Sequence, residues 1–540
     1  MKQKKIAMMV AAAMVLSLTG GAKADAAGDT AAREGQITFP LEEKEEINIC
    51  VQARTLHTTP FDDMPFVKMM EEMTNVHVNW TEYPETSWGE KINLDFASGN
   101  LADAYMTCYG MDDSTFMNYA ADGSVIAIDE ILERQAPHLM AKLDQFPQVR
   151  AQATALDGHI YGLPRYENEG NDIPSFMYIN KKWLDELNLE IPKTTSELTE
   201  VLRAFKEQDP NGNGQADEIP VAGIGDFSKQ DYSFFNMFGM FGVATDMNGL
   251  IIEDGTVKCA ATQEGWKDAC KYFAELYQEG LLDNETFTQG ETQVTAKGSG
   301  EDEKIGLLMG WNATNYVGST YVSDYVAIPY PSAEGYSAKM YKNNVGLSYN
   351  NFWVTSECEN PDLVIAWLDF MNSSDVMSVQ ASYGMIEDGE NKYNLHYNED
   401  GALEYWTASP EGMTFGEYRH KYSPATSAYV IHDIADMAQK NIFLGNPNNM
   451  AKAAECRTFD DYAIAEYMPV VKFTDDEAET LANIKNSILD QILQMSARWI
   501  AGESNIDEDW DSYISSLNGV GLDEYISIYQ EAYDRYKEQQ

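Results

Sequence analysis

The side chains best suited to hold a metal ion lie in one short stretch, from Asp209 to Glu218. Oxygen-bearing side chains alternate along it, and Gly214 stands at the sixth position, where a calcium-binding loop turns sharply. Ca²⁺ takes six to eight oxygen ligands at roughly 2.3–2.6 Å, from carboxylates, amides and main-chain carbonyls. The expected ligands are Asp209, Asn211, Asn213, Gln215 through its carbonyl, Asp217 and Glu218.

This loop departs from an EF-hand at its last position, because the twelfth residue is Pro220 and not a glutamate. The closing ligand must therefore come earlier, and Glu218 is the natural candidate. A turn rich in asparagine and glycine is the alternative interpretation of the same residues. Since the loop leads straight into an apolar stretch, we expect a calcium ion here to have a structural role and no part in chemistry.

A second group of side chains could hold a carbohydrate. A sugar ring has an apolar face of C–H groups and a rim of hydroxyls, so it suits aromatic walls with a few placed polar groups. In open α/β sheets, ligands bind beyond the ends of the strands. Packing in the core or on the surface is the alternative for each residue, and about half of the set is expected to line a cleft. The candidates at the ends of predicted elements are Trp88, Tyr109, Arg165, Tyr166, Trp311, Asn312, Trp353 and Trp406.

The chain has no motif typical of a serine hydrolase or a zinc protease. There is no G-x-S-x-G and no H-E-x-x-H, and the seven histidines are scattered. A glycoside hydrolase needs only two carboxylates, and with 87 acidic residues any such pair is uninformative. The sequence therefore favours a binding protein over an enzyme. A secreted glycoside hydrolase and a surface glycan sensor or adhesin are the alternatives.

Apolar periodicity places these candidates on an α/β framework with separated groups of strands and helices. Strands are predicted around 47–51, 76–80, 160–164, 176–180 and 304–309. Helices are predicted around 65–74 and 88–96, and from 475 to the C-terminus. Strand-helix alternation is typical of a parallel sheet, and the separated groups suit two lobes between which the chain crosses more than once. Four tryptophans in helical patterns are expected to pack in the core: Trp183, Trp266, Trp367 and Trp499.

The N-terminus is typical of a secretory signal peptide. Lysines precede an apolar stretch, Ile6 to Leu18, that is shorter than the ~20 residues needed to span a bilayer. Small residues with A-x-A spacing follow, which predicts cleavage near residue 24. Leu18-Thr19-Gly20 resembles the start of a bacterial lipoprotein signal, but Gly21 stands where the lipid-bearing cysteine would be. We therefore expect a secreted, extracellular protein that is associated with the cell surface.

Charge and composition narrow the class of partner. The chain has 540 residues, a formal net charge of −50 and 44% hydrophobic residues. The apolar fraction excludes wholesale disorder, and the charge argues against nucleic acid and anionic membranes as partners. Loss of residues 1–24 removes four lysines and no carboxylate, which gives −50 − 4 = −54. The six cysteines show no C-x-x-C spacing, which favours isolated buried thiols over a zinc site.

With these features in place, the chain resembles the family 1 extracellular solute-binding proteins of bacterial ABC importers. The likeness is greatest to the large oligosaccharide-type members, which include alginate-binding proteins, and it covers nearly the whole mature chain. The family pattern lacks a match at Gly21, at Ala102 in a proline position and after Tyr383-Gly384. The matching segments are 88–103, 161–164, 178–181, 209–218, 383–385, 510–513, 519–522 and 528–535.

The resemblance implies an α/β, periplasmic-binding-protein-like fold of type II, with two lobes joined by hinge segments and a helical C-terminal region. A ligand, in this case an oligosaccharide or another small molecule, would be held between the lobes by hinge closure. The closed monomer would then deliver it to the ABC permease subunits in the membrane. The expected division is 1–24 signal peptide, 25–45 flexible tether, 46–160 mainly N-lobe, 161–305 mainly C-lobe with the calcium loop, 306–360 mainly return to the N-lobe and hinge, and 361–540 mainly C-lobe and helical C-terminal region.

Overall fold

Two β-sheets organise the chain in the computed structural model, which describes residues 35–538 apart from 112, 344–345, 390, 407–412 and 414. The predicted signal peptide and the first part of the predicted tether lie outside the described residues. The strands are β1 Glu45–Ala53, β2 Val76–Pro84, β3 Ala104–Met106, β4 Gly162–Leu163, β5 Tyr166–Asn168, β6 Phe176–Asn180, β7 Ile219–Ala222, β8 Leu250–Glu253, β9 Thr256–Cys259, β10 Ile305–Gly310, β11 Tyr325–Ile328, β12 Phe352–Val354, β13 Leu395–Tyr397, β14 Leu403–Tyr405 and β15 Ile431–Asp433.

Helices cover both sheets, and the C-terminal region is helical as predicted. The α-helices are α1 Pro65–Thr74, α2 Trp88–Ser98, α3 Asp113–Ala121, α4 Asp129–Gln135, α5 Pro137–Gln145, α6 Pro147–Ala153, α7 Lys181–Glu186, α8 Thr195–Glu207, α9 Glu264–Gln278, α10 Glu291–Gly298, α11 Thr314–Tyr321, α12 Pro361–Met371, α13 Asp375–Tyr383, α14 Phe415–Tyr422, α15 Ile434–Gln439, α16 Pro447–Thr458, α17 Asp475–Ile500, α18 Ile506–Gly519 and α19 Leu522–Glu538. Short 3₁₀ helices connect them, at Phe61–Asp63, Glu85–Ser87, Phe227–Tyr232, Phe234–Phe241, Ala260–Thr262, Val322–Asp324, Ala425–Ser427 and Asp460–Tyr462.

The first lobe is built on a sheet with strand order β2-β1-β3-β12-β4. Strands β1, β2 and β3 are parallel, and β12 runs antiparallel to β3 and β4. Alternation along β1 buries Ile47, Ile49 and Val51 against a core that includes Phe352 and Trp367. The predicted helices around 65–74 and 88–96 are α1 and α2. The parallel pairing of β1 to β3 therefore confirms the predicted α/β unit.

The second lobe is built on a sheet with strand order β11-β6-β10-β7. Strand β10 is parallel to β7 and antiparallel to β6, and every residue of β10 is buried. The core of this lobe includes the predicted packing residues Trp183, Trp266 and Trp499. The C-terminal helices close it, with Ile488 of α17, Leu517 of α18 and Tyr525 of α19 buried in the same core.

Crossing segments determine how the two sheets face each other. Residues 164–175 leave the carboxyl end of β4 and enter β6, and residues 329–351 leave the carboxyl end of β11 and enter β12. The pairing registers place each of these strand ends at one edge of its own sheet. Because both crossings join the same two edges, these are the edges that border the predicted cleft.

The crossing segments are also tied to one another. Strand β5, within the first crossing, pairs in parallel with β15, and Tyr166 forms a bridge with Leu347 of the second crossing. A further passage to the second lobe runs through residues 444–447 into α16, whose Cys456 lies in the second core. These paired segments form the hinge region of the predicted two-lobe fold.

The packing differs from the expected division for two parts of the chain. Residues 306–342 stay with the second lobe, because β10 and β11 pair with β6. Residues 361–385 and 428–431 pack in the first core and not in the second, since Leu363, Trp367 and Ile431 are buried there, and the β13–β14 hairpin packs in a small cluster of its own with Phe443. The sequence of an apolar helix such as α12 does not indicate which core will bury it, so the pattern could not assign this helix to one of the two lobes.

Three further observations bear on the predictions from sequence. No helix among the described residues is long and apolar enough to cross a membrane. The six cysteines are all free thiols, and Cys50, Cys259, Cys270 and Cys456 are buried, in line with the prediction of isolated thiols. Thr194 and Glu197 form a capping box that begins α8, the helix before the calcium-type loop.

Candidate functional site

The first-lobe edge of the cleft is formed by charged and aromatic side chains that follow β1, β2 and β3. Arg54 Nε lies 3.3 Å from Glu85 Oε2, and the Tyr109 hydroxyl donates to the same carboxylate at 3.4 Å. The Arg54 guanidinium lies 5.3 Å from the centroid of the Tyr109 ring, which is 57% exposed. The Glu85 carboxylate accepts a hydrogen bond from the Thr55 N–H, which is the main reason that its pKa is lowered. The predicted Tyr109 thus stands on the cleft edge as an oriented, accessible ring.

A buried ionic network lies at the hinge behind this edge. Arg165 and Arg419 both pair with Glu167, and Arg419 is 3.2 Å from its Oε1. All three side chains are largely shielded from solvent, at 13%, 11% and 9% exposure. Burial, together with the neighbouring Arg419 charge, lowers the pKa of Arg165 to about 10. The main chain of Arg165 is fixed by Asn351 Oδ1, which accepts from its N–H at 2.9 Å.

The second-lobe edge of the cleft is formed by Trp311, which directly follows β10. Lys452 donates to the Trp311 carbonyl at 2.8 Å, and its Nζ lies 4.1 Å from the centroid of the Trp311 ring. The same ammonium lies 3.8 Å from the centroid of Phe176, and the Tyr178 hydroxyl donates to the Trp311 carbonyl at 3.3 Å. Trp311 remains only half-buried. Its ring is therefore fixed in position but remains partly accessible to a ligand.

Polar groups surround Trp311 on the same edge. Asp231 and Tyr232 follow β7, the parallel neighbour of β10, and burial raises the pKa of Asp231 to about 6. The Tyr232 hydroxyl accepts from Asn315 Nδ2 at 2.5 Å. Asn312, a predicted ligand residue, accepts from the Thr314 N–H at 2.8 Å and so begins α11. A carboxyl, a phenol and amides beside an aromatic ring can bind sugar hydroxyls.

One face of α16 contributes residues that the sequence analysis missed. Asn449 donates to Glu169 at 2.6 Å, Lys452 contacts Trp311, and Glu455 accepts from the Tyr178 hydroxyl at 3.4 Å. These three residues are spaced by three, so they share a helix face. The available signal was an Asn-Lys-Glu stripe on a helix rich in small residues. Nothing in that stripe showed that the helix would lie beside the end of β10.

The other aromatic candidates pack against neighbouring side chains. Trp353 is fully buried on β12 and stacks on Tyr105 with centroids 5.4 Å apart, and Trp88 packs in the same cluster. Tyr166 is 4% exposed in the first core, and Trp406 stacks on His396 beside the β13–β14 hairpin. The sequence placed these rings at element ends but could not show towards which side of a sheet they point.

The predicted calcium loop lies between α8 and β7 in the second lobe. Gly214 N–H donates to Asp209 Oδ2 at 3.0 Å, and Asn213 Nδ2 donates to Asp217 Oδ1 at 3.1 Å. Asp209 Oδ1 and Glu218 Oε1 are shielded from solvent and have no hydrogen-bond partner in the described part of the chain. Burial, with the charges of Asp209 and Asp217, raises the pKa of Glu218. Orphaned carboxylate oxygens of this kind fit a cation.

Two features of this loop limit how a cation could be held. Lys304 Nζ lies 2.8 Å from Asp217 Oδ2, and its hydrogen bond lowers the pKa of that carboxyl. Within the described ranges, no three His, Cys, Asp or Glu side chains converge closely enough to hold a metal by themselves. Amide oxygens of Asn211 and Asn213 and the Gln215 carbonyl would have to complete the shell, as expected for calcium rather than for zinc.

Comparisons with known proteins agree with this architecture. The chain is 31% identical to the fructooligosaccharide ABC transporter substrate-binding protein FusA of Streptococcus pneumoniae, over 99% of this chain and 98% of FusA. The structure of FusA in complex with kestose matches with a TM-score of 0.77 at 28% identity, covering 92% of this chain and 100% of that one. An EF-hand mutant of FusA, in complex with fructo-nystose, matches with a TM-score of 0.76 at 28% identity, with the same coverage.

A second solved relative is an HMO-binding, ABC-transporter-associated solute-binding protein from Bifidobacterium longum infantis. It matches with a TM-score of 0.78 at 25% identity, covering 91% of this chain and 99% of that one. The model of the family described as bacterial extracellular solute-binding protein matches residues 60–378, which contain strands of both sheets. The two-lobe fold, the cleft between sheet edges and these matches show that the chain belongs to the bacterial extracellular solute-binding proteins.

Proposed function

We propose that this protein captures an oligosaccharide in the cleft between its lobes and delivers it to an ABC permease. The observation that carries the proposal is the pair of facing sheet edges. One presents Tyr109 with Arg54 and Glu85, and the other presents Trp311, held by Lys452. Aromatic rings can cover the C–H face of a sugar while these polar groups bind its hydroxyls.

A fructooligosaccharide is the first ligand to test, because FusA matches along nearly the whole chain at 31% identity. We expect isothermal titration calorimetry of the purified protein to show micromolar or tighter binding of kestose or a related short oligosaccharide. Binding to no member of a panel of fructans, other neutral glycans and uronates would contradict the proposal. The Trp311→Ala variant should lose most of the heat signal, whereas Tyr397→Ala, an exposed ring on β13, should retain it.

The same samples distinguish binding from catalysis. A solute-binding protein releases its ligand unchanged, whereas a glycoside hydrolase would yield shorter sugars. We expect kestose to be recovered intact by chromatography after long incubation with the protein. Turnover above that of a heat-denatured control would favour the enzymatic alternative.

We further propose that the Asp209–Glu218 loop binds Ca²⁺ as a structural ion, with the FusA EF-hand as the parallel in a relative. The unpartnered oxygens of Asp209 and Glu218 support this assignment. Removal of bound calcium by EGTA should lower the melting temperature, and added Ca²⁺ should restore it. Asp209→Ala should melt at one temperature with or without EGTA, whereas Asp122→Asn, an exposed control, should respond like the wild type. A stripped wild-type protein that gains nothing from Ca²⁺ would contradict the site.

Export and partners complete the proposal. The lysine-rich start and apolar stretch up to Leu18 support secretion to the cell surface. We infer that the protein acts as a monomer and meets the permease subunits through the outer surfaces of its lobes. Size-exclusion chromatography with light scattering should give the mass of one chain with and without kestose.

A further inference from the structure

Lys452 is a buried lysine whose ammonium is surrounded mainly by aromatic rings. The residue is 4% exposed, and no carboxylate in the described part of the chain lies within ion-pair distance of its Nζ. A buried charge is costly unless other contacts replace its hydration. Here the faces of Trp311 and Phe176, at 4.1 Å and 3.8 Å, and the Trp311 carbonyl, at 2.8 Å, supply those contacts.

These contacts hold Trp311 at two points. The ammonium binds its carbonyl and also lies over its ring, and a cation–π contact is strongest where it is shielded from water, as here. The lysine stem comes from α16, which is anchored by the buried Ala453 and Cys456. Because Lys452 occupies one face of the indole, a ligand in the cleft can use only the part that remains open.

We propose that Lys452 is a positioning residue of the sugar site, which fixes the Trp311 ring as a platform for the apolar face of a sugar unit. The proposal rests on the proposed function, since it assumes that Trp311 contacts the ligand. It gives α16 a role in ligand binding that the sequence of this helix does not indicate. It also predicts that binding depends on the charge of Lys452 and not only on the volume of its side chain.

The surrounding titratable groups allow that charge to be tested. Burial lowers the pKa of Lys452 to about 8, so the ammonium is lost as the pH rises through that value. The charged and titratable groups around it are Asp231, Glu455, Tyr178 and Cys456. Burial raises the pKa of Asp231 only to about 6 and raises the pKa values of Tyr178 and Cys456 above their ordinary values. Burial also raises the pKa of Glu455, a shift that the Lys452 charge and the Tyr178 hydrogen bond oppose. The pH test therefore needs the Lys452 variants, which separate the loss of the lysine charge from any change in its neighbours.

The experiment measures kestose affinity by calorimetry at pH 7 and pH 9.5 for four proteins. Wild type should bind more weakly at pH 9.5, and Lys452→Met should bind roughly tenfold more weakly than wild type at pH 7, with no further loss at pH 9.5. Lys452→Arg keeps a cation at both pH values, so its affinity should be independent of pH. Lys440→Met removes the same charge from an exposed pair with Asp436 and should behave like wild type. Equal affinity and equal pH dependence of Lys452→Met and wild type would overturn the proposal.

A ligand-free measurement separates this proposal from the choice of sugar. With 5-fluorotryptophan incorporated at the ten tryptophans, the ¹⁹F resonance of Trp311 is identified by its loss in Trp311→Phe. It should shift with a midpoint near pH 8 in wild type, and this titration should be absent in Lys452→Met. If wild type binds no kestose but the resonance still titrates, the proposed ligand is wrong, whereas the contact between Lys452 and Trp311 is supported. A resonance that does not respond to pH or to Lys452→Met would overturn the contact itself.

Discussion

The two edges of the cleft orient their aromatic rings by different means. On the first-lobe edge, Tyr109 is placed by charged groups, Arg54 and Glu85, with the buried Glu167 network behind them. On the second-lobe edge, Trp311 is placed by a single cation, Lys452, whose ammonium contacts two aromatic rings and the Trp311 carbonyl. The first edge therefore depends on ion pairs, and the second on cation–π contacts and a hydrogen bond.

This difference has an energetic consequence. Buried ion pairs contribute little net stability when complete, but removal of one partner leaves an uncompensated charge and costs about 3–5 kcal/mol. An aromatic platform at a binding site instead contributes through the ligand that covers it. We therefore expect substitutions behind the first edge to alter stability, and substitutions on the second edge to alter affinity with little effect on folding.

Trp353→Ala should have the largest effect, on stability. Trp353 lies on β12 with no exposed surface and stacks on Tyr105, so its loss leaves a cavity and should lower the free energy of unfolding by about 3–5 kcal/mol. Urea unfolding followed by circular dichroism measures this change. The half-buried Trp311→Ala is the matched control and should cost less, about 1–2 kcal/mol, because Lys452 keeps its contacts with Phe176 and with the carbonyl of residue 311. Equal destabilisation of the two variants would remove the distinction between the edges.

Glu167→Gln should lower the free energy of unfolding by about 3 kcal/mol. It leaves the guanidinium groups of Arg165 and Arg419 buried beside a neutral amide. The control is Glu200→Gln, whose exposed pair with Arg203 should contribute no more than about 0.5 kcal/mol. Thermal and urea unfolding give both values. If Glu167→Gln were as stable as its control, the hinge network would contribute nothing measurable to the free energy of unfolding.

The sequence predicted the elements of this fold better than their partners. Apolar alternation over Ile47 to Val51 and helical spacing over 65–74 are local patterns, and both elements formed as predicted. The assignment of 361–446 to a lobe depended on contacts between distant segments, and no local pattern contains that information. The same reason explains the cleft residues. The positions of Trp311 and Tyr109 at strand ends could be predicted because both directly follow strands, whereas the inward direction of Trp353 and the contact of Lys452 with Trp311 depend on residues far apart along the chain.

Trp311→Ala should reduce kestose affinity by about 2 kcal/mol, roughly thirtyfold, because binding-site tryptophans in desolvated settings are typical hot spots. Tyr109→Ala should cost less, since its ring is more exposed and only one side is lined by Arg54. Calorimetry of both variants, with melting temperatures as the check on folding, compares the two edges directly. A larger loss for Tyr109→Ala would place the main sugar contact on the first lobe.

The stability of the first lobe should fall as the pH drops below neutrality, because two of its histidines, the buried His420 and the half-buried His57, are neutral in the folded state. The rings of His57 and His420 lie 4.6 Å apart between centroids. Burial lowers the pKa of His57 to about 4 and, with the nearby Arg419 charge, lowers the pKa of His420 to about 2. An unfolded histidine titrates near pH 6.5, so between pH 6.5 and 4 the unfolded chain binds more protons than the folded one. The free energy of unfolding should therefore fall with decreasing pH in this window.

Each such histidine contributes up to about 1.4 kcal/mol per pH unit to that slope. His420→Gln removes one titrating group while an amide can still meet the hydroxyl of Thr426, which accepts or donates at 2.8 Å in the wild type. Urea unfolding between pH 4.5 and 7.5 should give a shallower slope for the variant than for the wild type. Because the second-lobe edge gains its cation–π contact only while Lys452 is charged, its affinity should weaken instead above pH 8. Low pH should therefore reduce the stability of the first lobe, and high pH should reduce ligand affinity at the second-lobe edge. Equal dependence of the free energy of unfolding on pH in wild type and His420→Gln would contradict this separation.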